Sequence, residues 1–146
     1  MTTMEGLGRV FNVQYLMSGL WVNMKYCSSV AFVCYIAAGA GDTYTLQEAT
    51  TAAGGGAQNL VTVTRYFTNT GNGTDAWTLR TQAAAATVVA AAAATQNCTV
   101  FHVDGTELTD GFDYLRVTAT GAGVIIPVTY DLTVQRTPAN LPAMAA

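Results

Sequence analysis

Four carboxylates crowd one short stretch of this sequence: Asp104, Glu107, Asp110 and Asp113. Such a cluster raises the question of calcium, which takes about six to eight oxygen ligands from a curved loop. The spacing is not that of the helix-loop-helix calcium pattern, and turn formation and capping account for Asp104 and Asp110. His102, set between Phe101 and Val103, is the single histidine. A histidine triad needs a nucleophile and an acid beside it, and a catalytic zinc usually takes about three protein ligands. His102 therefore reads as a strand residue with an ordinary polar contact. Cys27, Cys34 and Cys98 are odd in number and lack the C-x-x-C spacing of a structural zinc site. They read as small buried hydrophobes, which points to synthesis in a reducing compartment. The glycine-rich TTAAGGGAQ at 50–58 lacks the Lys and Ser/Thr pattern of a phosphate loop. Trp21, Tyr66, Phe67 and Trp77 are the material of a sugar-binding platform, but such aromatics more often fill a core or a subunit contact. No catalytic, cofactor-binding or metal-ligating residue is assigned.

The bulk properties narrow the function further. Charged residues make up 10% of the 146-residue chain and hydrophobic residues 51%. Ordinary soluble domains carry roughly 25% charged residues. The shortage points to part of the outside being covered by other subunits, the alternative being a bland solvated surface of neutral Thr, Gly and Asn. Net charge is −3 and Lys25 is the only lysine. A nucleic-acid binder needs a basic stripe to displace counterions, so nucleic acid is not expected as a partner. No apolar run reaches the roughly 20 residues that span a bilayer, and no membrane partner is expected. The start, MTTMEGLGRVFNVQ, lacks a signal-peptide pattern. Asn72-Gly73-Thr74 and Asn97-Cys98-Thr99 are accordingly read as coincidental matches to a glycosylation acceptor.

The elements that would position these residues are short strands. Residues 112–136, FDYLRVTATGAGVIIPVTYDLTVQR, carry the clearest pattern. Val124, Ile126, Val128, Tyr130, Leu132 and Val134 alternate with Pro127, Thr129, Asp131, Thr133 and Gln135, which predicts a strand with one apolar face. Leu115, Val117 and Ala119 form a similar upstream run, and Gly121-Ala122-Gly123 lies between. The pair is expected to form a β-hairpin. Pro127 places its strand at an edge locally, or marks a bulge. Further strands are expected over 10–15, 29–36, 43–49, 60–67, 76–81 and 98–103. The 16–25 stretch leans to extended structure, and Asn72-Gly73 predicts a tight hairpin turn. The Ala-rich segment 82–95 is ambiguous, and strand is favoured because no apolar stripe anchors a helix. A single helical turn is expected over 106–111. The resulting fold class is all-β, an antiparallel β-sandwich or barrel-like domain over 10–136. Arms at 1–9 and 137–146, the second without charged residues, are expected to extend from it along a neighbour.

The run VFHVDGTELTDGFDYLRVTATGAG, followed by DLTVQRTPANLP, resembles small head decoration (cement or minor capsid) proteins of tailed bacteriophages of actinobacteria. The segment SSVAFVCYIAAGAGDTYTLQEAT is similar in character to that group. The resemblance implies a β-rich virion protein, made in the host cytoplasm, that binds the outer surface of the capsid. Its partners would be the major capsid protein and further copies of itself, as a homo-trimer or other homo-oligomer. It implies no enzymatic activity and no cofactor. Other expectations are a tail-tube or head–tail connector subunit, or a carbohydrate-binding module.

Overall fold

The computed structural model describes residues 6–15 and 17–145. The described residues form eleven strands: β1 Phe11–Val13, β2 Val22–Asn23, β3 Cys27–Tyr35, β4 Asp42–Ala49, β5 Gln58–Asn59, β6 Val63–Asn69, β7 Thr78–Ala85, β8 Thr87–Ala90, β9 Cys98–Asp104, β10 Tyr114–Ala119 and β11 Val124–Leu132. One antiparallel sheet has six strands in the order β1-β11-β3-β9-β6-β7. The other has five, with β2-β10-β4-β5 in line and β8 paired to β4 beyond β5. The two sheets pack as a sandwich, so the predicted all-β fold is the one observed.

The core lies between the sheets and follows the period-2 rule closely. Val30, Phe32 and Cys34 on β3, with Phe101 and Val103 on β9, face Tyr44 and Leu46 on β4 and Leu115 and Val117 on β10. Phe32 and Phe101 stack at 5.6 Å between ring centroids. The Ala-rich segment is strand, as favoured: β7 runs on to Ala85, and β8 follows after Ala86. Only Ala94–Gln96 forms a short 3-10 turn. At Ala86 the chain passes from the six-stranded to the five-stranded sheet.

Three local expectations are corrected. Residues 112–136 do not form a hairpin, because β10 pairs with β4 and β2 while β11 pairs with β3 and β1. The connection is an arch across the core. Alternation fixes which face of a strand is buried, but leaves open which edge it pairs through. Here the side chain of Asp42 decides, by receiving the N–H groups of Gly121 and Gly123 at 2.8 Å each and the Thr120 hydroxyl at 2.9 Å. A Cβ on Gly123 would stand 2.8 Å from the Tyr44 ring, so the arch closes only on glycine there. Nor does Asn72-Gly73 make a tight turn. Positive φ falls at Gly71 and Gly73, and the longer connection is organised by Asp75, which accepts from the N–H and hydroxyl of Thr70.

The third correction concerns the tail. Residues 137–145 do not leave the domain. After a 3-10 turn at Pro138–Asn140 the chain folds back, and the Asn23 N–H donates to the Met144 carbonyl at 2.7 Å. Met144 packs on the core, and Leu141, Pro142 and Ala143 close the side of the sandwich beside Asn12, Cys27 and Thr129. The expected N-terminal arm falls mostly on residues 1–5, outside those described. Gly6–Arg9 form a turn tied down at Gly8, whose carbonyl accepts from the Arg136 N–H at 3.0 Å.

Pro127 does sit at a local edge. The Ile125 carbonyl points to the β1 side, where it accepts from the Met17 N–H. Pro127, two residues on, points the same way, and β1 has ended there with Val13 opposite Val128.

Candidate functional site

Of the residues with chemical potential, Asp104, Glu107 and Asp113 are engaged in holding the fold, while Asp110 and His102 are exposed. Asp104 and Glu107 form a reciprocal cap on the turn Gly105–Glu107, with the Asp104 N–H donating to Glu107 Oε2 at 2.8 Å. Asp104 Oδ1 accepts from the Ser29 hydroxyl at 2.6 Å, and Glu107 Oε1 from the Thr62 hydroxyl at 2.6 Å. Asp113 pairs with Lys25 at 3.8 Å, and Asp110 is exposed on the same loop. The four acids therefore do not converge, and among the described residues no three His, Cys, Asp or Glu side chains group as a metal site. His102 is exposed on β9, opposite Ala31. Ser29 bonds to Asp104 directly, with no imidazole between them, so the arrangement is not a nucleophile–base–acid relay.

Two further acids were not singled out by sequence reasoning, and both lie on the inner face of β4. Asp42 is 7% exposed and anchors the arch, accepting a fourth hydrogen bond from the Thr43 N–H at 2.7 Å. Burial alone would raise its carboxyl, but hydrogen bonds from Gly121, Gly123, Thr120 and Thr43 outweigh that and hold it below the usual aspartate range. Glu48 is fully buried and accepts from Gln58 Nε2 at 2.7 Å and from the N–H of Thr109 at 2.9 Å, as well as from the Thr109 hydroxyl. It ties β5 and the 105–113 loop to β4. The available signal was phase: Tyr44, Leu46 and Glu48 share one side of an alternating strand, and an acid in phase with core residues must be satisfied inside.

The three cysteines are free and buried. Burial pushes the Cys27 thiol up to about 11, against a smaller opposing hydrogen bond from the backbone at Ser29. Burial raises Cys98 as well, and Cys34 further, with Cys98 and Asp42 adding to the effect at Cys34. None is a thiolate near neutral pH. The four aromatics do not share a platform. Trp21 is buried with Ala49 and Tyr114 beneath the Arg116 guanidinium, at 4.4 Å, and Tyr66 is in the core. Phe67 faces outward on β6, and Trp77 is exposed before β7.

What stands out is a surface. Because Val30, Phe32 and Cys34 point into the sandwich, Ala31, Val33 and Tyr35 point out of it. The same holds on β11, where Ile125, Pro127 and Thr129 are buried and Val124, Ile126, Val128 and Tyr130 lie on the outer face. The most apolar alternation in the sequence is thus turned away from the core. Cross-strand register extends it. Ile126 lies opposite Val33, Val33 opposite Val100, Val100 opposite Phe67, and Phe67 opposite Leu79, an unbroken apolar row over five strands. A second row runs from Val13 through Val128 and Ala31 to His102. A third joins Val124 to Tyr35 and Cys98. Leu79 is 51% exposed, and Val13 and Tyr35 nearly 40%. Ionisable groups gather toward one end of the face, where His102 of the second row, Arg65, Asp104 and Glu107 line a polar cleft with Thr62 and Thr64.

Antiparallel sheets in solution commonly keep one face apolar and one polar. This sheet carries an unbroken apolar row on its outer face as well, and only its inner face is covered by the second sheet. An apolar row of this extent, rimmed by polar residues, has the form of a protein–protein contact surface. Searches with the chain against family models, curated proteins and solved structures match nothing.

Proposed function

We propose that the chain is a structural, non-catalytic virion protein that binds the outer surface of a phage capsid and stabilises the mature shell. The observation that carries this reading is the apolar row on the outer face of the six-stranded sheet, which has the form of a protein contact surface. The engaged acids and protonated, buried thiols support a role in assembly, as does the 10% charged composition. The capsid itself enters through the resemblance of residues 100–123 and 131–142 to head decoration proteins. In that role each copy buries surface against the assembled lattice, with the major capsid protein and further copies of itself as partners. Binding the mature lattice in preference to looser states stabilises it by mass action. The dispersal of Trp21, Tyr66, Phe67 and Trp77 gives the carbohydrate-binding reading no platform to stand on.

Electron microscopy of the virion tests the assignment. The expected result is density for this fold on the outside of the head at a fixed ratio to capsid subunits. Its location in the tail tube or at the head–tail connector would overturn the capsid reading, as would its absence from the particle.

A further inference from the structure

We propose that Asn72 is a self-modification site, at which the folded chain converts its own asparagine side chain to a carboxylate by deamidation. The residue is exposed on the 70–77 connection between β6 and β7, and Gly73 follows it. The reaction needs only the next backbone nitrogen and water. The site stands whether or not the chain binds a capsid.

Three features of the loop favour the chemistry. The nucleophile is free: the exposed Gly73 N–H makes no hydrogen bond among the described residues, so a base in solvent can take its proton. Nothing lies within 4 Å of where a Cβ on Gly73 would stand, so the nitrogen is also unobstructed. The electrophile is held, because Asn72 Oδ1 accepts from the Thr74 N–H at 3.0 Å and from the Thr74 hydroxyl at 2.6 Å. A third donor, the Thr70 hydroxyl at 2.6 Å, is shared with Asp75. Donors aimed at an oxygen where charge develops lower the barrier to attack. The leaving group is loose, since Asn72 Nδ2 has no partner among the described residues. The other asparagines lack this arrangement. Asn12, Asn23, Asn59, Asn69, Asn97 and Asn140 precede Val, Met, Leu, Thr, Cys and Leu, whose side chains crowd the attacking nitrogen.

In the reaction the Gly73 nitrogen bonds to Asn72 Cγ, and the carbonyl electron pair moves onto Oδ1 beneath the Thr74 donors. The Cγ–Nδ2 bond then breaks, and Nδ2 takes a proton from water and leaves as ammonia. Water opens the five-membered imide at either carbonyl, leaving aspartate or isoaspartate at position 72. The new carboxylate and that of Asp75 then share one Thr70 hydroxyl, and the net charge moves from −3 to −4. Like charges so close repel, and the loop loosens.

The test is mass-spectrometric peptide mapping of the folded full chain during prolonged incubation in mildly alkaline buffer. The expected result is a mass gain of about one dalton at Asn72 and at no other asparagine, with aspartate and isoaspartate both present. Gly73→Ala should suppress the conversion. Thr74→Val keeps the N–H and the branched shape but removes the hydroxyl. It should slow the conversion about 2- to 10-fold, the factor that one neutral hydrogen bond is worth. Circular dichroism establishes that both variants are folded. An Asn72 that stays intact in the folded chain would overturn the proposal, with conversion of the same chain in urea showing that the loop protects it. A folded Thr74→Val converted at the native rate or faster would overturn it as well.

Discussion

Asp42 stabilises the fold only while it is ionised, because its two oxygens accept four hydrogen bonds and neither has a proton to spare. Its carboxyl is held below the usual aspartate range in the folded chain. A depressed folded pKa contributes stability that is fully present above the unfolded value, about 3.9, and is lost as pH falls through the folded value. The native protein should therefore lose stability below about pH 4, and part of that loss should be absent in Asp42→Asn. At neutral pH Asp42→Asn should cost about 1–3 kcal/mol, since an amide group would turn its own donors toward the arch N–H groups. Urea midpoints at pH 7 and pH 3 measure both effects. Equal midpoints for the two proteins at pH 7 would remove Asp42 as the anchor of the arch. The sequence did not mark Asp42 as an anchor, because nothing local reveals donors that arrive from about eighty positions away.

Among the elements, strands were legible and their partners were not. Val, Ile and aromatic residues at alternate positions marked β3, β4, β6, β9, β10 and β11 without ambiguity, since extended geometry is a local property. The pairing of β10 with β11 was misread because two alternating runs and a glycine loop describe a hairpin and an arch equally well. The orientation of β11 was open for a related reason: Val124, Ile126 and Val128 look like core until Ile125 and Pro127 are seen to be buried instead. Composition made residues 137–146 look like a free arm. They have no charge to hold them in water, however, and Met144 finds the core. Deleting 137–146 should thus destabilise the domain by about 2–4 kcal/mol, through lost packing and the loss of the hydrogen bond to the Met144 carbonyl. Met144→Ala alone should cost less, in proportion to its partial burial. The check is chemical denaturation of the truncated chain. An unchanged midpoint would restore the tail to the status of an independent arm.

At the scale of the whole molecule, the composition and the outer face express one property. A chain with 10% charged residues has few charges to spread over a sandwich, and the apolar row on the six-stranded sheet carries none. That deficit was readable from the sequence as covered surface, but its location was not, because location depends on which way β11 faces. If a second copy covers the face, unfolding is coupled to dissociation and thermal stability depends on protein concentration. For two chains that unfold and separate together, each tenfold rise in concentration adds about 1.4 kcal/mol per dimer, or about 0.7 kcal/mol per chain. At this chain length that corresponds to an increase in Tm of roughly 1–3 °C per tenfold. Val33→Lys, in which pairing would bury a charge, should stay monomeric and melt at one temperature whatever its concentration. Scanning calorimetry at about 5, 50 and 500 µM distinguishes the cases. A native Tm that does not move over that range would mean that folding and association are independent, and the outer face would then have to be stable in water by itself.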